Sequence, residues 1–284
     1  MMEKTKAAIK WVVLTGFVAI ALVSCGTASI LGSTPGTNLI VNGTVPGALS
    51  ARAVANRATG GDSTASVDIP VEYPSGTAVG IINLTIAKVV VKEIQFEQDG
   101  LADDAGEFEF NGPFIADLVA NTLDPQPATT DLPSGTYTQV EFKIDKVEGD
   151  EEDETGTTLV VDTDPLFGHS ILLEGSYTPT GGVAVPFTYT FDIDAEFQLK
   201  GVGDTAVGFD ITAGGVNDVI IAFRLNKWFT GRDPAAFAAD PAAFSEDLKE
   251  NIKQSADYGK DSDGDGILSS DEDDDPDSED DEDA

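Results

Sequence analysis

The sequence has one cysteine, Cys25, and one histidine, His169, among its 284 residues. A single thiol cannot form a disulfide within the chain, so packing alone must stabilise the fold. A zinc site built from several Cys and His residues is not available either. A Ser-His-Asp site would have to use His169, and no Gly-x-Ser-x-Gly turn accompanies that residue. We therefore expect a protein without catalytic residues.

Basic residues are scarce as well, since 16 Lys and Arg stand against 51 Asp and Glu, for a formal net charge of −35. Proteins that bind nucleic acid need basic surface to displace counterions from the phosphates, so this charge argues against nucleic acid as a partner. It also argues against attachment to anionic lipid through a basic patch. A surface this acidic is highly soluble and attracts cations.

The one long apolar run lies near the N-terminus, at residues 11–22, behind three lysines. It is too short for a comfortable membrane span and is typical of the apolar region of a signal peptide. It ends in LVSCG, where Cys25 follows small residues. This ending resembles the bacterial lipobox, Leu-x-small-Cys, a motif whose thiol is diacylated and whose peptide is cut before the cysteine.

The lipobox resemblance implies a signal peptide over residues 1–24 and a lipid anchor on Cys25, which would place the protein in the bacterial cell envelope. A thiolate is the natural nucleophile for lipid transfer, and each buried CH₂ of an acyl chain adds ~0.8 kcal/mol of membrane affinity. Gly26 stands where an inner-membrane retention signal would have Asp, so the outer membrane is slightly favoured. An ordinary signal peptide with a chance cysteine and an uncleaved anchor helix remain as alternatives.

The centre of the chain alternates between apolar and polar residues. Every odd position in residues 185–199, VPFTYTFDIDAEFQL, is apolar, which predicts one long strand with a buried and a wet face. Residues 82–96 alternate similarly, which predicts one apolar face of Ile82, Leu84, Ile86, Val90, Ile94 and Phe96. Lys88 and Lys92 interrupt that face, which suggests a bulge or an edge position. With turn signals between the runs, the sequence predicts an all-β antiparallel β-sandwich over residues 66–230.

The flanks of this domain have different compositions. Residues 25–65 are rich in Gly, Thr, Ser, Ala and Pro and are interpreted as a flexible tether, with a short strand conceivable at residues 39–41. Residues 231–259 contain two Asp-Pro pairs in an Ala-rich stretch, which predicts short helices, each with Asp as cap and Pro at its first position. Residues 260–284 are almost entirely acidic and are predicted to hold a metal-binding loop and a disordered tail.

A turn and strand at residues 132–144, LPSGTYTQVEFKI, predict Val140, Phe142 and Ile144 in the core. Together with the preceding IAKVVVKEIQF, this segment resembles a family of bacterial lipoprotein domains known only as domain of unknown function 4382. The resemblance spans roughly residues 82–229 and implies a sandwich of the prealbumin or immunoglobulin type. It implies no activity, because that family has none assigned.

Residues 261–272, DSDGDGILSSDE, are similar to the EF-hand calcium loop at all twelve positions. Gly266 allows the sharp turn, and carboxylates at alternate positions suit a hard cation such as Ca²⁺. The expected metal ligands are Asp261, Asp263, Asp265, Ile267 through its carbonyl, Ser269 through water, and Glu272. The preceding helical segment would be the entering helix, while no exiting helix or second hand follows. The loop also resembles thrombospondin type 3 repeats, and a chance run in an acidic tail is the remaining alternative.

The sequence thus predicts a lipid-anchored envelope module with a non-catalytic binding or structural role and Ca²⁺ as its cofactor. The alternative is a carbohydrate-binding or glycan-active envelope protein that uses Asp192, Asp194 and Glu196, which share one face of the predicted strand. The expected partners are the membrane through Cys25, calcium, and an unidentified envelope protein or glycan. Trp228 and Phe229 are expected to pack at a strand end.

Overall fold

The structure is a computed structural model that describes most of the chain beyond the N-terminal segment. The described residues are 36–45, 65–73, 77–101, 106–127, 132–148, 159–200, 208–213, 216–231, 233–261, and Gly264, Gly266 and Leu268. All of them belong to the compact unit Ser33–Ala284. The predicted signal peptide, Cys25 and the acidic tail beyond the loop lie outside these residues.

The described chain is mostly β, with a sandwich-like arrangement and few helices, as the alternation predicted. The larger sheet is built from β2 (Val67–Glu72), β3 (Ala78–Gln98), β4 (Glu107–Asp117), β5 (Thr122–Asp124), β6 (Gly135–Ile144), β7 (Ile171–Pro179), β8 (Val185–Phe191), β9 (Ala195–Lys200) and β10 (Phe209–Ile211). The smaller sheet contains β1 (Gly36–Thr44), β11 (Val216–Arg224) and β12 (Ala256–Asp261). All strand pairs in the larger sheet are antiparallel, whereas β1 runs parallel to β11.

Strand β3 is long because it serves both halves of the larger sheet. Its first half pairs with β2 and β7, and its second half pairs with β4 and β6. The pairing register shifts between Leu84 and Ile86 and again between Val91 and Glu93, which confirms the bulge that the lysines suggested. Each bulge moves the side chains that follow to the opposite face.

The bulges correct one detail of the prediction for β3. Ile86 and Val90 were expected on the same face as Ile82, but they pack in a second cluster with Val147, Val160, Leu166 and Leu172. Ala87, Val89 and Val91 take their place in the main core. The lysines signalled that the alternation is broken, but not at which residue each bulge lies, so the face of the residues between the bulges was assigned wrongly.

The predicted long strand at residues 185–199 is divided into β8 and β9, because residues 192–194 are not in strand. β8 pairs with β7, whereas β9 pairs with β6, so the chain passes from one part of the sheet to another at this point. The predicted face is nevertheless buried from Phe187 to Phe197, and only Val185, at 45% exposure, departs from it clearly.

The two sheets meet through aromatic side chains. Phe223 of β11 contacts Phe142 of β6 and Phe197 of β9 edge to face, with ring centroids 5.7 and 6.2 Å apart. Phe142 and Phe197 themselves stack at 4.4 Å. Such edge-to-face and offset contacts are the favoured geometries of aromatic pairs, so this cluster supports the join between the sheets.

Strand β1 corrects the prediction of a flexible tether over residues 25–65. Leu39 and Val41 are almost fully buried, and nine consecutive residues pair with β11. The Gly, Thr and Asn content of this segment resembles a linker, but the strand is held by partners from the far end of the chain. Tertiary pairing overrides local composition here.

The later helices lie within the predicted segment 231–259 but end earlier than expected, whereas the first helix forms in residues that were assigned to the β-domain. α1 covers Leu225–Trp228, α2 covers Pro234–Ala239, a 3-10 turn covers Pro241–Phe244, and α3 covers Ser245–Lys253. Asp233 caps α2 through Ala235 N and Ala236 N, whereas Asp240 makes no such cap on the 3-10 turn. Leu248 and Ile252 are buried in the core, with Phe244 packed against it. None of the helices in the described part of the chain is long and apolar enough to cross a membrane.

Candidate metal site

The predicted calcium loop begins at the last residue of β12. Of its six predicted ligands the structure describes only Asp261, while Asp263, Asp265, Ile267, Ser269 and Glu272 lie outside the described residues. Gly264, Gly266 and Leu268 of the loop are described. The structure therefore shows how the loop starts and what supports it.

Asp261 organises the first turn of the loop. Its Oδ1 accepts a hydrogen bond from Gly264 N at 2.6 Å, and its Oδ2 accepts one from Gly266 N at 2.8 Å. Gly264 and Gly266 have φ values of 80° and 76°, in the left-handed region that glycine tolerates best. Asp261 is only 7% exposed, and the two amides hold its carboxylate at the mouth of the loop.

The strand before the loop overturns the prediction of an entering helix. α3 ends at Lys253, and β12 pairs with β11 from Ala256 to Asp261. Tyr258 is 1% exposed and packs edge to face on Phe209. The alternation of buried Ala256 and Tyr258 and the following Gly259 were the available signals for a strand. The loop is therefore preceded by a strand instead of the entering helix of an EF-hand.

Polar side chains line the outer face of the smaller sheet, opposite to the core. Asn38, Asp218 and Asp261 stand in one row across β1, β11 and β12, and directly paired side chains share a face. Asn38 Nδ2 donates to Asp218 Oδ1 at 2.7 Å. Two carboxylates on neighbouring strands repel one another, so this row adds negative potential at the start of the loop.

A second Asn of β1 reaches the loop itself. Asn42 Nδ2 donates to the carbonyl oxygen of Gly266 at 2.7 Å, although the two residues are 224 positions apart in the sequence. Sequence reasoning missed Asn42, because nothing local to β1 indicates which part of the chain will cover it. Only the pairing of β1 with β11 brings Asn42 within hydrogen-bond distance of the loop.

An ion pair occupies the other end of the same outer face. Arg224 Nε lies 2.5 Å from Asp257 Oδ2, and the Asp257 side chain is only 4% exposed. The pair neutralises two charges that the fold buries. Within the described residues, no group of three or more His, Cys, Asp and Glu side chains is arranged to hold a metal ion.

The alternative acidic site lies at the break between β8 and β9. Asp192, Asp194 and Glu196 are all exposed, but only Glu196 is part of a strand. His169 Nδ1 lies 2.8 Å from Asp192 Oδ1. The neighbouring Ser170 is fully buried, and its Oγ accepts from Ile193 N and donates to Phe191 O, so it serves the backbone at the strand break.

A shallow apolar pocket is found elsewhere, among the helices. It is lined by Trp228, Phe229, Pro234, Phe237, Phe244 and Leu248 and by none of the three acidic side chains. Trp228 is 1% exposed, and its Nε1 donates to Ser255 Oγ at 2.7 Å. Trp228 is therefore buried, as expected, but it ends helix α1 instead of packing at a strand end.

No family model, curated protein or solved structure matches this chain. A function for the protein is therefore inferred from its own residues and their geometry.

Proposed function

We propose that this protein is a lipid-anchored module of the bacterial cell envelope, with a non-catalytic binding or structural role and a calcium-binding loop at the C-terminal end of its β-domain. The geometry of Asp261 supports the calcium site most directly. This carboxylate is held by Gly264 N and Gly266 N at the start of a loop rich in carboxylates. An all-oxygen donor set of this kind suits Ca²⁺ better than Mg²⁺, which gives up its waters reluctantly.

The lipid anchor is proposed on the sequence alone, from the basic segment, the short apolar run and the cysteine at residue 25. Its combination with the loop is chemically consistent. Extracellular calcium modules have dissociation constants on the order of 10⁻⁴–10⁻³ M, which suits an ion supplied from outside the cytoplasm. The strand β1 shortens the tether proposed between Cys25 and the folded domain, since the sheet begins at Gly36.

Calcium titration of the full-length protein in detergent tests the metal site. We expect one saturable binding event with a dissociation constant of about 10⁻⁴–10⁻³ M. The combined variant Asp261→Asn, Asp263→Asn, Glu272→Gln should lose this event, because it removes three carboxylates from the loop. The variant Asp192→Asn, Asp194→Asn, Glu196→Gln carries the same charge change outside the loop and should bind as the parent does. A parent protein that shows no heat of binding up to millimolar calcium contradicts the proposal.

Mass spectrometry of the protein isolated from membranes tests the anchor. The expected product begins at residue 25 and carries acyl chains on the cysteine. Cys25→Ser should leave an unlipidated chain with the signal peptide attached, because serine lacks the nucleophilic thiolate. A native product that starts at Met1 and is recovered from the soluble fraction would falsify the assignment.

A further inference from the structure

We propose that Asn42 couples the occupancy of the calcium loop to the docking of the N-terminal strand β1. This inference rests on the proposed calcium site and adds a regulatory consequence to it. Calcium bound at the C-terminal end of the domain would stabilise the strand that leads back to the membrane anchor. The coupling would also operate in reverse, because linkage between two binding events is reciprocal.

The position of Asn42 brings the two ends of the described chain together. β1 and β12 flank β11 on opposite sides, so they do not touch each other in the sheet. Asp261 stands opposite Asp218, whereas Asn42 stands opposite Ala222, further along β11. The loop must therefore turn back across the outer face of β11 for Gly266 to reach Asn42. Ile220 and Ala222, on this face, are 0% and 2% exposed.

The Asn42 amide itself points to a ligand. Its side chain is nearly fully buried, with the residue 1% exposed, and Nδ2 is directed at the carbonyl oxygen of Gly266. Its Oδ1 is buried without a hydrogen-bond partner among the described residues. Buried amide oxygens are nearly always satisfied, so this acceptor has capacity left for a group of the loop or for its ion.

The consequence for the loop is mechanical. Gly266 N donates to Asp261 of β12, and the Gly266 carbonyl oxygen accepts from Asn42 of β1. Hydrogen bonds from both edge strands therefore hold the sharp turn at the loop centre. A loop fixed in this way loses less conformational freedom when the ion binds. Asn42 is therefore a positioning residue for the site, and the ion in turn strengthens the attachment of β1.

Calcium titration of Asn42→Ala in the full-length protein tests the coupling. We expect the dissociation constant to rise about tenfold, the equivalent of one hydrogen bond to a carbonyl. Asn251→Ala is the matched control, since Asn251 Nδ2 also donates to a backbone carbonyl, that of Trp228 at 3.0 Å, but lies on α3 outside the loop. It should stay within about twofold of the parent.

Hydrogen exchange of the β1 amides supplies a second measurement that needs no variant of Asn42. Saturating calcium chloride should slow exchange at Leu39 and Val41 in the parent protein, and should have no effect in the triple loop variant. The same experiment separates coupling from a merely structural contact, which would protect β1 equally with and without the ion.

The proposed calcium site and its coupling to β1 are tested by different outcomes. Absence of calcium binding by the parent protein would overturn the proposed site together with this inference. Normal calcium binding by Asn42→Ala, or β1 exchange that does not respond to calcium in the parent, would overturn the inference and leave the proposed site intact. If Asn42→Ala does not fold, the exchange experiment on the parent decides.

Discussion

Tyr137 shows how one side chain can join several parts of the sandwich. It is fully buried, its hydroxyl donates to Pro133 O at 2.9 Å, and its ring stacks on Phe209 at 5.6 Å. The bond back to a residue just upstream is similar to the tyrosine corner of immunoglobulin-like sandwiches. Burial raises the pKa of Tyr137 to about 12, because the phenolate would lose its hydration.

The raised pKa gives stability a defined dependence on alkaline pH. Between pH 10 and about 12 the unfolded chain releases this proton while the folded chain keeps it. The contribution is therefore fully present below pH 10 and is lost as the pH rises through 12. Tyr137→Phe should cost about 0.5–1.5 kcal/mol at neutral pH through the lost hydrogen bond, and should weaken the alkaline loss of stability.

Urea unfolding of the parent and Tyr137→Phe at neutral pH and above pH 10 measures both effects. Tyr73→Phe is a suitable control, because Tyr73 is 39% exposed. Parallel pH profiles for the parent and Tyr137→Phe would contradict the role assigned to the buried phenol.

Residue-level predictions succeeded where the signal was local. Val140, Phe142 and Ile144 were expected to face the core from their alternation after a Pro-Gly turn, and all three are buried. Asn42 could not be predicted, because its neighbour Gly266 lies 224 residues away and an isolated Asn in a Gly- and Thr-rich segment looks like loop.

At the level of elements, α2 shows that capping chemistry can be predicted from a dipeptide. Asp233 precedes Pro234, and its Oδ1 accepts from Ala235 N at 2.9 Å. The same Asp-Pro pair at residues 240–241 begins only a 3-10 turn, without a side-chain cap. The dipeptide therefore indicates a helix start, while the packing of the following residues determines which kind of helix forms.

The two Asp-Pro pairs provide a matched comparison. Asp233→Ala should lower the free energy of unfolding by about 1 kcal/mol, because two amides at the start of α2 lose their acceptor. Asp240→Ala should stay within about 0.5 kcal/mol, since no cap is lost. Chemical denaturation followed by circular dichroism measures both, and equal effects of the two substitutions would argue against the capping role.

For the whole molecule, the join between the two sheets depends on side chains that no single element brings together. Phe223 of β11 meets Phe142, Phe197 and Trp228, which come from three other elements. β1 and β12, at the two edges of the smaller sheet, depend on β11 for all their strand pairing among the described residues. Loss of packing under β11 should therefore weaken the strand that carries the candidate loop as well.

Phe223→Ala should lower the free energy of unfolding by about 3–5 kcal/mol, the usual cost of removing a buried aromatic ring from a core. Phe244→Ala is the comparison, because Phe244 is only partly buried beside the helices, and its cost should be clearly smaller. Thermal unfolding of both variants provides the measurement. Similar losses would show that the sheets are held together mainly elsewhere.

The class of the fold follows from the sequence by itself. Alternation of apolar and polar residues makes strands, and this property is local, because successive side chains of a strand point to opposite faces wherever the strand lies. Three observed features follow from such local signals: the buried face of residues 187–197, the turn before Tyr137 and the cap of α2. The resemblance of residues 261–272 to a calcium loop is also a local pattern, and metal binding there stays a prediction.

Only the tertiary structure decided which strands are partners. Alternation carries no information on a strand's neighbour. It could therefore not be predicted that the first part of residues 185–199 pairs with β7 and the last part with β6. For the same reason β1 was mistaken for a tether and β12 for the end of a helix. Both strands are stabilised by β11, and contacts between residues so distant in the chain form only when the whole domain folds.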